Sequence, residues 1–340
     1  MTGFSTSTAR VIATMGSHSA LQILDGAKRE GFKTLVVATE SAAGVYRHFG
    51  VADSIIIVKS NGDFFSVENE LVRKNAIIIP HASFVAYVNS EELEGSPIMY
   101  FGNRRILAFE RDRSLQRKWL ADAGLRLPRI FKTPDDIDRP VIVKFYGAAG
   151  GKGYFLAKSP EEFYEKIRGY SHRSLTIQEY IIGVPVYIHY FYSPLTKELE
   201  IMSLDRRYES NVDSIGRIAA KDQIDINLNT SYNITGNTPL VLRESLLPRV
   251  FEMGEAVIDA AKRLSPKGIF GPFCLETVVT PELEFYVFEI SARIVAGTNL
   301  YINGSPYTDI RYGMPMSTGR RIALEIKRAI EQGRLDEVLG

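Results

Sequence analysis

Cysteine is nearly absent: Cys274 is the only one in 340 residues, which excludes an internal disulfide and a cysteine-cluster metal site. It reads as a small core residue, and a chain so poor in thiols suits a reducing cytoplasm, the expected location. Net charge is missing too. The 41 lysines and arginines balance 40 acidic residues to +1, so there is no electrostatic footprint for nucleic acid or a membrane surface. No apolar run approaches the length of a membrane span. The opening MTGFSTSTA lacks a basic n-region and an apolar core, so no signal peptide is expected. Neither GxGxxG nor GxxxxGK[ST] occurs, which argues against a dinucleotide dehydrogenase and a P-loop enzyme. Internal repeats and low-complexity tracts are absent as well.

What is present is an ordinary globular composition, 45% hydrophobic and 24% charged, in a chain long enough for two or three cores. From Arg10 to about Ser114, short β-branched runs alternate with helical periods. VIATM (Val11 to Met15), TLVVA (Thr34 to Ala38), SIIIV (Ser54 to Val58) and AIIIP (Ala76 to Pro80) read as strands, and ALQILDGAKREG as a helix closed by Gly31. Such alternation predicts a parallel doubly wound sheet, with ligands at the carboxyl ends of its strands. Two of those ends carry Gly16-Ser17-His18-Ser19 and His81-Ala82-Ser83. The first opens a helix, whose free N–H groups favour an anion. A capping or packing role for His18 and a buried turn for His81 stay open beside a ligand role, as does a purely structural role for Ser83.

The pattern changes near Arg111. RSLQRKWLADAGLRLP predicts an amphipathic helix stopped by Gly124 and Pro128. VIVKFYGAAGGKGYFLA then places Lys144 at a strand end before Gly147, Gly150, Gly151, Lys152 and Gly153. A point charge beside backbone N–H groups suits a triphosphate; a plain glycine hairpin is the alternative. SPEEFYEKIRGY reads as a helix capped by Ser159, with Glu162 in the capping-box position. TIQEYIIGVPVYIHYFY gives two strands broken at Gly183 and Pro185, and the linking segment is a natural seat for an adenine. DRRYESNVD reads as a strand end and loop, ITGNTP as a turn, and SLLPRVFEMGEAVIDAAKRL as a helix.

GPFCLETVVTPELEFYVFEISARIVAG predicts a hairpin about Thr280 to Leu283. Pairing Val279 with Glu284 sets Glu276 opposite Val287, with Glu289 diagonal to it on the same face. Ser291 and Arg293 continue that row, among Cys274, Val278, Phe285 and Val287. Two carboxylates on an apolar face repel unless a cation offsets them, and hard oxygens beside a guanidinium suit Mg²⁺ on a nucleotide's phosphates. A hairpin edge decorated with charges is the competing reading. A loop one residue longer or shorter separates the two glutamates.

Taken together, VIVK, a glycine loop, QEYI and a two-glutamate hairpin in this order resemble the ATP-grasp superfamily over about two-thirds of the chain. More narrowly, ATMGSHSALQILDGAKREGF, PHASFVAY, FGNRRIL, VIVKFYGAAGGKGYF, RRYESNVD, ITGNTP, RESLLPRVFEMG, GPFCLET and EISARIVAGTN are similar to the archaeal formate-dependent synthetases that formylate aminoimidazole-carboxamide ribotide (AICAR) in purine biosynthesis. The resemblance implies an α/β (α+β) ATP-grasp fold. It comprises an N-terminal doubly wound domain over 1–112, a lid over 113–182 and a C-terminal mixed-sheet domain over 183–340.

It further implies ATP, Mg²⁺ (or Mn²⁺), formate and AICAR as ligands. Lys144, the Gly147 to Gly153 loop, the hinge Gln178, Glu179, Tyr180 and Ile181, and Glu209 would hold ATP. His18, Ser83 and Asn237 would contact the ribotide. Glu276 and Glu289 would hold metal, and Lys144 and Arg293 would serve the transferring phosphoryl group. Two departures stand out: Ser291 replaces a frequent metal-binding asparagine, and Pro185 falls where a ribose-binding carboxylate often sits, a contact Glu209 would take over. A homo-oligomer is expected, TNLYINGSPY being open as interface or site. The rivals are an ATP-grasp ligase for another acid or amine and a non-catalytic nucleotide-binding relative.

Overall fold

The computed structural model of the chain describes residues 10–145, 154–170, 174–209, 218–223 and 234–340. Their strands form three sheets. The first contains β1 (Val11–Met15), β2 (Lys33–Thr39), β3 (Ser54–Val58), β4 (Ala76–Ile78) and β5 (Met99–Tyr100). It is parallel throughout, in the order β3-β2-β1-β4-β5. Its central strands are apolar on both faces because both are covered. Ile12 and Ile77 pack beneath the helices Ala20–Arg29 and Thr318–Glu331, whereas Ala13, Leu35, Val37 and Ile78 pack into a separate core with Phe64 and Phe84. The strand order reverses between β1 and β4, and a crevice at their carboxyl ends follows.

The chain's last long helix returns to this first sheet. A Cβ on Gly26 would lie 2.2 Å from Arg320 N, and one on Gly319 would lie 2.2 Å from Gln22 O. The two helices therefore touch backbone to backbone, which only glycine allows. A buried ion network fastens the same helix to the third sheet. Arg321, 1% exposed, donates to Glu200 at 2.9 Å and to Glu325 at 2.7 Å, and lies 4.1 Å from the Phe191 ring centroid. Removing one member leaves buried charge unpaired, so Arg321→Met is expected to cost about 3–5 kcal/mol of unfolding free energy in denaturant titrations.

The second sheet is antiparallel, β6-β9-β7-β8, from β6 (Ile130–Phe131), β7 (Val141–Phe145), β8 (Tyr154–Ala157) and β9 (Leu175–Glu179). Helix Pro160–Ile167 covers it through Phe163, and Ser159 caps that helix by accepting from Glu162 N at 3.3 Å. Glu162 itself accepts from Lys158 N at 2.8 Å, one residue before the position a capping box requires.

The third sheet, β12-β11-β10-β13-β14, is antiparallel. It contains β10 (Val184–Tyr192), β11 (Leu199–Glu209), β12 (Ile234–Pro239), β13 (Gly271–Val279) and β14 (Phe285–Ser291). Alternation divides it cleanly. Val186, Ile188, Leu204, Leu275 and Ile290 face helix Leu247–Leu264 and Trp119 in the largest core. The other face carries Tyr187, His189, Ser203, Asp205, Arg207, Cys274, Glu276, Glu289 and Ser291, a polar row across the sheet.

One expectation fails here. ITGNTP is the edge strand β12 and not a turn. Among the described residues it pairs only with β11, and an edge tolerates Gly236 and a terminal Pro239 that a central strand would not.

Candidate active site

The hairpin's register differs from the expected one twice, and the differences cancel. Val279 pairs with Phe285 rather than Glu284, so the loop is one residue longer. A bulge between Glu276 and Thr277 leaves Phe288 unpaired on β14, and Glu289 then stands directly opposite Glu276. The extra residue restores the shared face that the longer loop alone would have destroyed. Phe285 and Val287 turn into the apolar core instead of flanking the glutamates, and Tyr286 takes the side of Val278.

Glu276 is 2% exposed. Burial first, and then Glu289, push its carboxyl up to about 7, while Arg207 works in the other direction. Arg207 ion-pairs with one carboxylate oxygen and lies over the Tyr187 ring at 4.1 Å. The second oxygen, Oε2, has no partner among the described residues. Two opposed carboxylates with an orphaned buried oxygen fit a hard divalent cation whose remaining ligands come from phosphate and water.

Glu289 opens onto a cavity of about 550 Å³ between the second and third sheets, which Lys144, Gln178, Arg113 and Arg293 also line. Lys144 Nζ lies 3.4 Å from Gln178 Oε1. Burial lowers its amine pKa and Arg113 adds to this, whereas Glu289 and Glu276 draw it back up. Arg293 lies just beyond β14 and pairs with Glu110 at 2.8 Å. Glu110 also accepts from Ala292 N at 2.8 Å, and burial raises its carboxyl pKa against the pull of Arg293. The stripe of Ile106, Leu107 and Glu110 on helix Arg104–Arg111 carries that carboxylate inward. A glutamate on an apolar stripe was the only available signal for it.

The strand ends of the first sheet meet the same place. Ile294 forms a parallel bridge with His81, which is buried and accepts from Ser83 N at 3.3 Å. Its ring lies 2.7 Å from Met15 O. Burial chiefly, then His18 and Arg293, hold its pKa near 3 against that hydrogen bond, so it is neutral. His18 sits at φ 43°, its ring centroid 6.0 Å from that of His81; burial and Arg293 lower its pKa. Ser83 is buried, with an Oγ that has no partner among the described residues. Asn299 donates to His18 O at 3.1 Å, which ties the turn Ala296–Tyr301 to that loop. On the turn's other side Gly297 lies against Asp205, whose Oδ2 accepts from Asn237 Nδ2 at 2.6 Å.

The expected nucleotide hinge is divided. Gln178 shares the cavity of Lys144, but Glu179, Tyr180 and Ile181 line a second cavity of about 390 Å³ with Thr280, Pro281 and Tyr286. Adjacent strand residues face opposite ways, which parts Gln178 from Glu179; Tyr180 and Ile181 lie beyond the end of β9. The Glu179 carboxylate is engaged by Arg139 at 3.1 Å and Arg129 N at 3.0 Å. Glu209 ends β11, paired with Ile234. Gly147, Gly150, Gly151, Lys152 and Gly153 lie outside the described residues. Glu110, Arg207, Asp205 and His189 were not singled out by sequence. Two of them stood within a stretch read merely as a polar strand end.

A family model described as a protein of unknown function (DUF1246) matches residues 12–131, and one described as a domain of unknown function (DUF1297) matches residues 161–340. The 5-formaminoimidazole-4-carboxamide-1-(beta)-D-ribofuranosyl 5'-monophosphate synthetase of Pyrococcus abyssi is 56% identical over 336 residues, covering 96% of this chain and 98% of that one. The chain belongs to this synthetase family. A relative of the same name in Methanocaldococcus jannaschii is 48% identical over 340 residues, with 96% and 94% covered. Among solved structures, an IMP biosynthesis protein PurP from Thermococcus kodakaraensis matches with TM-score 0.77 and 31% identity, over 97% of this chain and 100% of that one. N5-carboxyaminoimidazole synthetase from Staphylococcus aureus, complexed with ADP, matches at TM-score 0.63 and 17% identity, over 86% and 73%.

The synthetase has the ATP-grasp fold, as the motif order implied, and is a ligase of the carbon–nitrogen class in purine biosynthesis. No helix among the described residues is long and apolar enough to cross a membrane.

Proposed function

We propose that this synthetase joins formate to the amine of AICAR at the expense of ATP, releasing ADP and phosphate. The opposition of Glu276 and Glu289 beside the Lys144 cavity carries the reading; the names of its relatives support the substrates. Formate lacks a leaving group. Its oxygen attacks the γ-phosphorus of ATP, the bond to ADP breaks, and formyl phosphate forms. The ribotide amine then attacks the formyl carbon, loses a proton and expels phosphate.

Glu276 and Glu289 would hold Mg²⁺ (or Mn²⁺), which when bound supplies positive charge to the nucleotide's phosphates. Lys144 and Arg293 add fixed positive charge where the phosphoryl group passes. Glu110 keeps the Arg293 guanidinium in place. The ribotide is held by His18 and Ser83 at the mouth of the first sheet and by Asn237 on the third, so its amine meets an acyl phosphate shielded from water. The cytoplasm is the matching compartment, since Cys274 is free and buried.

The test is ADP release by the purified chain with ATP and Mg²⁺. It should require formate and AICAR together, and yield formylated ribotide in a one-to-one ratio with ADP. Equal ADP release with formate left out, or formylated ribotide formed from formyl-tetrahydrofolate in the absence of ATP, would sink the proposal.

A further inference from the structure

Asp205, on the polar face of the third sheet, has no part in the reaction as written above. It is 1% exposed, and its neighbour His189 is 2% exposed. Asp205 Oδ1 lies 2.6 Å from His189 Nε2, and Oδ2 accepts from Asn237 Nδ2 at 2.6 Å. The turn Ala296–Tyr301 closes the third side: a Cβ on Gly297 would stand 2.2 Å from Oδ1. His189 Nδ1 has no partner among the described residues, so the ring's one such bond goes to the carboxylate. Asp205 is thus sealed behind Asn237 and the turn, and cannot itself reach a ligand.

Asn237 differs from it. It is half-buried, and it pairs across the strands with Arg207, the partner of Glu276. A primary amide has a donor end and an acceptor end, whereas an ionised carboxylate only accepts. With Asp205 behind it, Asn237 must turn its NH₂ inward, and its carbonyl, the outward end, accepts no hydrogen bond from the side chains of the described residues. Either oxygen of a carboxylate can only accept, so no rotation of Asp205 would permit the other arrangement.

We propose that Asp205, steadied by His189, is a positioning residue that locks the amide of Asn237 with its carbonyl outward. The site then reads a hydrogen-bond donor on the substrate, the amine or carboxamide N–H₂ of an aminoimidazole carboxamide. This rests on the reading of Asn237 as a ribotide contact. An analogue bearing an acceptor at that position would leave two lone pairs facing each other, the kind of mismatch that separates near-isosteres strongly.

The decisive experiment exchanges the two ends of the bond in the full chain. Asp205→Asn keeps the shape but offers an N–H₂ to Asn237, which must then turn its carbonyl inward. The KM for AICAR is expected to rise at least tenfold, with the KM for ATP and formate changed less than twofold. Adding Asn237→Asp to that variant restores the pattern. The new amide at 205 donates to one oxygen of the new carboxylate at 237, and the other oxygen faces outward as an acceptor. The AICAR KM should return to within threefold of wild type.

An unchanged AICAR KM in Asp205→Asn overturns the proposal, as does a folded double variant no better than the single one. Should Asp205→Asn fail to fold, the double variant carries the test alone, because it keeps the bond and the charge. Calorimetric titration of wild type with AICAR separates the two levels: absence of binding ends the ribotide reading and this proposal with it. Binding without rescue ends only this proposal.

Discussion

Glu289→Gln is expected to lower turnover by about 10³-fold or more while making the metal-free protein slightly more stable. The two effects share one cause. Glu276 and Glu289 face each other across β13 and β14, and Arg207 engages only one of the Glu276 oxygens, the other having no partner among the described residues. Without a metal, this arrangement stores repulsion. Loss of one hard anionic ligand removes several kcal/mol of charge stabilisation at the phosphoryl group, which sets the kinetic figure. Loss of one like charge, partly screened because Glu289 is half-buried, returns about 1 kcal/mol.

The sign with pH follows from Glu276. Its folded-state carboxyl pKa, about 7, lies above its ordinary 4.5. The folded state therefore binds more protons than the unfolded state between those values. Metal-free wild type should lose stability as pH rises through that window and level off above it. Glu289→Gln should flatten that slope, and Mg²⁺ should stabilise wild type increasingly up to about pH 7. Thermal denaturation of both proteins across pH, with and without Mg²⁺, measures all of this. A variant that turns over normally removes Glu289 from the metal site; one that loses stability removes the repulsion argument.

Lys144→Met carries the next largest effect, an expected fall of about 10²–10³ in kcat/KM for ATP with the AICAR KM unchanged. The lysine is half-buried among charges of both signs: desolvation and then Arg113 lower its pKa, and the two glutamates raise it. Its hydrogen bond to Gln178, at 3.4 Å, is long. A methionine fills similar space without the charge, and the fold should survive. Lys144→Arg should recover little, since a planar fork does not replace a compact point charge. If the AICAR KM moved with that for ATP, Lys144 would be shaping the cavity and not serving the nucleotide alone.

Much of the fold was legible because its signal is local. Short apolar and β-branched runs marked β1 to β4, β7, β10 and β13, and the capping serine at 159 marked its helix. ITGNTP was misread because Gly236 and Pro239 are turn residues everywhere except on an edge, and edges are defined by partners. Glu110 escaped because nothing in its own segment shows that Arg293, 183 residues later (293 − 110), will meet it.

The hairpin shows where local reading ends. Residue types and spacing placed Glu276 and Glu289 on one face, yet the loop is longer than expected and Phe288 bulges to compensate. A bulge has no period, so no pattern of alternation can reveal it.

The sequence by itself determined which faces are apolar, where the chain turns and which side chains carry charge, because those are properties of neighbouring residues. Only the tertiary structure decided which charges meet. Asp205 finds Asn237 and His189 through strand pairing, and Gln22 finds Asn299 across 277 residues. Such meetings depend on how sheets pack, and packing is set by the whole core at once.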